Sequence, residues 1–486
     1  MNEQKNGEET TMAFVEEPGQ ATTSGRQNDQ GKAPAFSTEV SPTYEAQSEG
    51  ENENERLLLF SDGIIAFTIT LATISIRLPA GKDYTTPSAF LTDLGPYLLT
   101  YLIGFVIVGS YWYEHWRFFR YIKRTATALV VRNLLFLASL VFLPFLSHYY
   151  GGNFYLSGDR EKIYLVITTL LFYTFLLISG ILLLIVWRYA SRRHRLIYED
   201  VSAANVRNTT LRLLRNPLAI IIYLVAFVVF GDSITGSVLP VIVFLVIWEG
   251  MRRFLNRNIT TIKPTDTRRV VIFSDCVMAI AITLVAAQLE LPELKFGSGV
   301  ENAVTESAVE HLALILLIYL VAFLNIGIHW MSHYHMFRSI KRSNTWLVVL
   351  NFAFLLCITL LFLPTSASIE YQNLFTSRFY YIAQTTTAFL LVLMWMYAVH
   401  KHRLIDQSAD PARIRRTTAR LVRNLLIFAG LAVLTLVFSM QIDILAYFWV
   451  YLLVEFVVFV MHRARRLFLH RKLALAEKSS VASLKK

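Results

Sequence analysis

Charge is scarce in this chain. Asp, Glu, Lys and Arg make up 17% of the 486 residues, hydrophobic residues make up 55%, and mean hydropathy is +0.46. Soluble domains carry about 25% charged residues, so a string of soluble domains is disfavoured and a polytopic membrane protein is expected. Cysteine is nearly missing. Cys276 and Cys357 both fall in apolar runs, which excludes a disulfide framework and offers no thiolate metal site. No positively charged start followed by an apolar core stands near Met1, so a cleavable signal peptide is not expected. Also missing are a Ser-His-Asp order, a phosphate-binding loop and paired catalytic carboxylates. An enzyme is therefore not expected, nor any cofactor.

What the chain does have is length of apolar sequence. Residues 1–55 hold twelve acids, the last Glu55, against Lys5, Arg26 and Lys32, and read as a disordered acidic tail. Beyond it, twelve apolar runs follow at about 57–78, 95–113, 129–147, 163–187, 216–231, 234–250, 270–291, 311–331, 345–365, 379–399, 422–440 and 443–461. A run of ~20 residues crosses a hydrocarbon core of about 30 Å. Lys and Arg gather in every second connection: Arg117, Arg120, Lys123 and Arg124; then Arg188 through Arg215; then Arg252 through Arg269. The alternate connections are nearly bare, with Lys82, then Arg160 and Lys162, then no base in 232–240. The positive-inside rule then puts both termini in the cytoplasm, and the net charge of +11 serves topology rather than nucleic acid.

The stretch Arg56–Pro79 occurs twice. Arg269–Pro292 aligns with it without a gap at an offset of 213, and ten of 24 positions are identical, among them Arg56/Arg269, Phe60/Phe273, Ser61/Ser274 and Asp62/Asp275. An acid inside the edge of a membrane helix is costly and marks a functional site. Later pairs extend the match. Trp112 and His115 correspond to Trp330 and His333, and Asn133 to Asn351, at an offset of 218; the HRLI run at 194–197 corresponds to 402–405 at 208. The fold class expected is an all-α membrane protein, twelve transmembrane helices as two parallel six-helix repeats. The boundaries are a tail at 1–55, repeats at 56–257 and 258–472, and a basic cytoplasmic end at 473–486. Six is even, so both copies share one orientation.

R-x-x-x-F-S-D opening the first helix, with His on the second and Asn on the third, resembles the transmembrane protein 175 family of endosomal and lysosomal potassium channels and their prokaryotic relatives. The resemblance covers nearly everything after residue 55. It implies passive potassium flow through a pore lined by the helices starting at Arg56 and Arg269. It also implies a homodimer, because in that family two-repeat chains pair to give four such helices around one conduit. The family's narrowest point is an isoleucine five residues after the aspartate; Ile280 matches it, and Phe67 stands at that place in the first repeat. The membrane would be the plasma membrane in a prokaryote and the endosome or lysosome in a eukaryote.

The residues carry a reading of their own beside it. Phe67, Thr70, Leu71 and Ile74 share one helical stripe with Leu78, and Ile280, Thr283, Leu284 and Ala287 the matching one. Such a pore is a hydrophobic constriction with one polar ring; the stripe is equally what ordinary helix packing would use. Asp62 and Asp275 could face the pore mouth. Burial costs favour instead a brace in which the acids tie to Ser61 or Ser274, to His115 or His333 and to Asn133 or Asn351, with Arg56, Phe60, Arg269 and Phe273 in the same motif network. His329 and His333 form an H-x-x-x-H pair with no carboxylate to complete a metal site. The sequons at Asn208 and Asn258 fall in connections assigned to the cytoplasm, and Glu455 has no counterpart in the first half. The competing reading is a six-plus-six secondary transporter. The loop Glu114–Ala128 lacks the Gly- and Asp-containing pattern of the major facilitators, and no helix is broken by Gly and Pro at mid-membrane. Selectivity among potassium, sodium and protons is left open.

Overall fold

The computed structural model of the chain describes residues 42–71, 73, 76, 84–152, 159–192, 196–230, 234–255, 265–287, 301–400, 404–406 and 410–439, with isolated residues between 449 and 463. The readings placed on 1–41, Ile74, Leu78, 194–195, Asn258, 402–403, Glu455 and 473–486 lie outside the described residues, as does the side chain of Ala287.

Twelve helices and one small ribbon make up the described chain: α1 (Pro42–Leu71), α2 (Pro87–Phe119), α3 (Thr127–Gly152), α4 (Asp159–Arg192), α5 (Ala203–Phe230), α6 (Ile234–Leu255), β1 (Thr265–Asp266), α7 (Arg268–Ala287), α8 (Glu301–Phe337), β2 (Arg342–Ser343), α9 (Thr345–Leu360), α10 (Phe362–Tyr371), α11 (Leu374–His400) and α12 (Pro411–Val437). Helix α1 starts at Pro42 rather than at the expected Arg56, so the end of the acidic stretch is helical. Starts follow ordinary capping rules. Thr86 caps α2 ahead of Pro87, Asn344 caps α9 by accepting from the Leu347 amide, and Asp410 caps α12 ahead of Pro411. α9 and α10 share one apolar run, and α10 stops where Gln372 turns left-handed.

Seven of the described helices, running through α2, α3, α4, α5, α9–α10, α11 and α12, are long and apolar enough to cross a bilayer. Neighbours in sequence pack on one another, α2 on α3, α3 on α4, α4 on α5, α5 on α6 and α11 on α12, while α7 lies against α8 and α9. The seam between the halves is α2 on α9. A Cβ on Gly109 would sit 2.8 Å from the Phe352 ring, so only glycine admits this approach. Phe105 also meets the Phe352 ring, and the Tyr101 hydroxyl donates to Thr359 Oγ1 at 2.6 Å.

The duplicated polar runs pin helix ends to one another. Ile197 of the first HRLI bridges Ile122, and Lys123 donates its amide to Leu196 at 2.8 Å. In the second half Ile405 bridges Ile340, and the Lys341 amide reaches Leu404 at 2.9 Å. Trp187 donates to Thr210 Oγ1 at 2.9 Å and Trp395 to Thr418 Oγ1 at 2.8 Å. The residues just before the two motifs are held the same way: Asn54 donates to the Ile122 carbonyl at 3.2 Å, and Thr267 to the Ile340 carbonyl at 3.0 Å. Beside Thr267, β1 pairs antiparallel with β2.

Candidate functional site

Ser61 and Asp62 lie one turn inside the apolar part of α1, both fully buried. A hydroxyl in that position needs partners, because lipid supplies none. Ser61 donates to the Leu57 carbonyl at 2.7 Å and accepts from Asn133 Nδ2 at 2.8 Å. Asn133 Oδ1 in turn meets His115 Nε2 at 2.9 Å. The other ring nitrogen, His115 Nδ1, accepts from the Arg269 guanidinium at 2.7 Å. Only one arrangement of protons satisfies the series: His115 carries its proton on Nε2, and every donor points toward α1. The chain Arg269, His115, Asn133, Ser61 ends on a backbone carbonyl with nothing left over.

The second motif builds the same chain on α7. Ser274 donates to the Val270 carbonyl at 2.8 Å, Asn351 Nδ2 donates to Ser274 at 2.8 Å, and His333 Nε2 meets Asn351 Oδ1 at 3.1 Å. His115 stacks on Phe136 and His333 on Phe354, which fixes both rings.

The aspartates take partners other than those expected. Asp62 does not join Ser61, His115 or Asn133. Its carboxylate accepts from Trp112 Nε1 at 2.8 Å and from Arg269 through Nε at 2.9 Å and Nη2 at 2.8 Å, a two-point fork. Arg269 thus leaves its own motif to brace the other one, bonding α7 to α1 and α2. Phe273, one turn further along α7, stacks on Trp112 at 4.2 Å between centroids. Asp275 accepts from Trp330 Nε1 at 2.9 Å. Arg56 is exposed and bonds no described residue, so the expected tie between Arg56 and its own Ser61–Asp62 network is not made. The signal for the tryptophans was present: Trp112 and Trp330 recur three residues before the histidines, which on a helix is the same face.

The two proposed pore stripes differ in exposure. Phe67 is exposed and Leu71 half-buried, whereas Thr70 is buried and returns its hydroxyl to the Ala66 and Phe67 carbonyls. On α7, Thr283 is exposed with its hydroxyl on the Ile280 carbonyl, Ile280 is half-buried and Leu284 is buried.

One buried ion pair escaped the sequence reading altogether. Glu114 of α2 and Arg212 of α5 are both buried and joined at 2.5 and 2.6 Å. By sequence Arg212 falls among the bases of the connection Arg188–Arg215. In the second half Ser332 and Arg420 stand at these places, and Ser332 accepts from Asn424 instead. Glu114→Gln keeps an acceptor but leaves the guanidinium without its counter-charge, and should lower stability in detergent by about 1–3 kcal/mol. Thermal unfolding of the purified variant checks this, and an unchanged midpoint would mean that the pair is idle. Among the described residues no cluster of three His, Cys, Asp or Glu could hold a metal, and His329 is bonded to Gln384 at 2.8 Å.

The two motif-bearing helices and the helices that brace them match a known family. The model of the family described as endosomal/lysosomal potassium channel TMEM175 covers residues 56–144 and 269–364. A potassium channel of Chryseobacterium sp. is 31% identical over 98 residues, 20% of this chain and 49% of that protein. A potassium channel of Chamaesiphon minutus is 29% identical over 190 residues, 39% of this chain and 89% of that protein. The Homo sapiens endosomal/lysosomal proton channel TMEM175 is 23% identical over 339 residues, 63% of this chain and 64% of that protein. The matches thus span from about half to most of these relatives' lengths. The resemblance read from R-x-x-x-F-S-D is borne out: both segments match the family model, the relatives are named as channels and not as enzymes, and the chain has several helices apolar enough to cross a membrane.

Proposed function

We propose that the protein is a cation channel, permeable to potassium, whose pore is formed by α1 and α7. One observation carries this reading. The chain holds two copies of the FSD helix, each tied from behind by the same Ser–Asn–His relay, and joins them directly through Arg269 and Asp62. A polar relay on the rear face leaves the opposite face of each helix free to line a conduit and holds it in one rotation. The names of the relatives, potassium channel and proton channel, support the same class, with protons and sodium as alternative ions.

The finer reading has two parallel six-helix repeats at 56–257 and 258–472, both termini cytoplasmic and a homodimer giving four pore helices. Phe67 and Ile280 form the constriction, with Leu71 and Leu284 next to them. Two pore helices in one chain are too few to enclose a conduit. Purified protein in potassium-loaded liposomes should release potassium down its gradient with no second ion supplied. Flux that stops unless a sodium or proton gradient is imposed would replace the channel with a secondary transporter.

A further inference from the structure

Away from the motif networks, α2, α4, α5 and α6 line a cavity of about 440 Å³. Its floor is fixed, because the Tyr111 hydroxyl of α2 donates to the Leu176 carbonyl of α4 at 2.6 Å. Ile107, Leu176, Ile220 and Leu245 give the cavity an apolar part, and Arg215, Asn216 and Glu249 give it a charged end. Both charges stand at one level. Arg215 is 15 residues before the end of α5 at Phe230 (230 − 215), and Glu249 is 15 residues after the start of α6 at Ile234 (249 − 234). At ~1.5 Å per residue, each lies about 22 Å from the helix end that adjoins the 231–233 connection. Glu249 also closes the apolar stretch Leu239–Glu249 of α6. In a hydrocarbon core of about 30 Å, that level is near the far edge, where headgroups begin.

The second half shows why the first has a charge to offer. Arg423 and Asn424 occupy the places of Arg215 and Asn216, and Asn424, 6% exposed, donates to Ser332 of α8 at 3.1 Å. In the first half Glu114 stands where Ser332 does and is taken by Arg212. Asn216 is half-buried instead and accepts from Arg215 Nε at 3.2 Å. That bond steadies the guanidinium, whose terminal amines bond no described residue. A cation at the edge of a membrane needs an acceptor, and acyl chains supply none.

We propose that this cavity binds one phospholipid whose headgroup carries a primary amine, a phosphatidylethanolamine. The lipid phosphate accepts from the Arg215 terminal amines, and the ammonium donates to the Glu249 carboxylate. The start of one acyl chain lies along Ile107, Ile220 and Leu245, and the rest runs out into the bilayer. Charge selects this occupant. A planar guanidinium takes two phosphate oxygens at once. Glu249, at the same end, disfavours a headgroup of net negative charge, and a choline has no N–H to give it. The volume falls within the range of ordinary ligand cavities. The inference rests on the membrane-crossing helices and is independent of where the pore lies.

Headgroup competition on the unaltered protein is the first test. Protein in detergent, given dioleoyl phosphatidylethanolamine, phosphatidylcholine or phosphatidylglycerol, should retain the first at least about tenfold better in native mass spectrometry, the worth of one charge-assisted hydrogen bond. Glu249→Gln should bring phosphatidylethanolamine and phosphatidylglycerol to within about threefold of each other, and Arg215→Gln should weaken all three lipids by about tenfold. A phosphatidylethanolamine with a diazirine on one acyl chain should label α5 and α6 near Ile220 and Leu245. Equal retention of the three lipids, a preference untouched by Glu249→Gln, or label confined to other helices would overturn the proposal. If either variant fails to fold, the headgroup order and the label, both read on the unaltered protein, decide.

Discussion

Arg269→Ala should be among the most damaging single substitutions in the chain, while Arg56→Ala leaves the isolated chain's folding nearly unchanged. Asp62 is 1% exposed and, among the described residues, takes its counter-charge from Arg269; Trp112 supplies a neutral donor. Removing one partner of a buried ion pair leaves an uncompensated charge, and costs about 3–5 kcal/mol. His115 Nδ1 loses its donor in the same step. The loss is therefore felt on α1, α2 and α3 although the substitution is made on α7. Asp62→Asn and His115→Ala should likewise lower folded yield and thermal stability more than they alter ion preference. Asp275→Asn and His333→Ala should follow the same order with smaller effects, since no arginine among the described residues bonds Asp275, which accepts from Trp330. Asp62→Leu combined with Arg269→Met removes both charges and should recover much of the loss. Unfolding in detergent and cation-preference measurements on the same preparations decide the matter. If the Asp62→Asn protein were fully stable and had lost its cation preference, the aspartate would belong at the pore mouth rather than in a brace.

The relay itself was legible because its residue types recur at fixed offsets. A buried Ser, Asn and His on three neighbouring helices have few ways to satisfy one another, so naming them nearly dictates their bonds. What could not be read was which half each arginine serves. Arg56 and Arg269 each stand four residues before a Phe-Ser-Asp run, and local pattern does not say which half each arginine serves. The choice depends on how α7 sits against α2, which is set by Gly109 admitting Phe352 and by Phe273 lying on Trp112. Those are contacts between residues more than 150 positions apart, beyond any helical period. Glu114 and Arg212 were missed for a related reason. Each looked like an ordinary charge near a membrane edge, and only the packing of α5 against α2 brings them together. The seven membrane-capable helices were visible as apolar runs, because length and composition are local properties. The helical start at Pro42 was hidden by a composition that, taken alone, favours disorder.

Phe67→Ala should raise basal potassium flux by about tenfold, a barrier change of about 1.4 kcal/mol, and weaken selectivity more than Ile280→Ala does. Both residues stand five positions after the aspartate of their motif, and equivalent Asn–Ser bonds hold Ser61 of α1 and Ser274 of α7. In the proposed pore the two side chains would stand at one level. They are not equivalent there. Phe67 is 41% exposed in the single chain, whereas Ile280 is half-buried, so the larger ring also has the more open position. Thr70 is buried in the single chain and donates its hydroxyl to the backbone of its own helix. In a ring of four helices the two phenyl rings would meet before the two isoleucines, and a gap lined only by apolar groups conducts poorly until it widens or wets. The rival outcome has Phe67 turned toward a neighbouring helix on the face it shares with Phe60. Phe67→Ala would then cost about 3–5 kcal/mol of stability once that face is covered, with little change in conductance. Flux through liposomes and thermal unfolding of the same two alanine variants separate the cases, and a larger gain of current from Ile280→Ala would pass the gate to the second repeat.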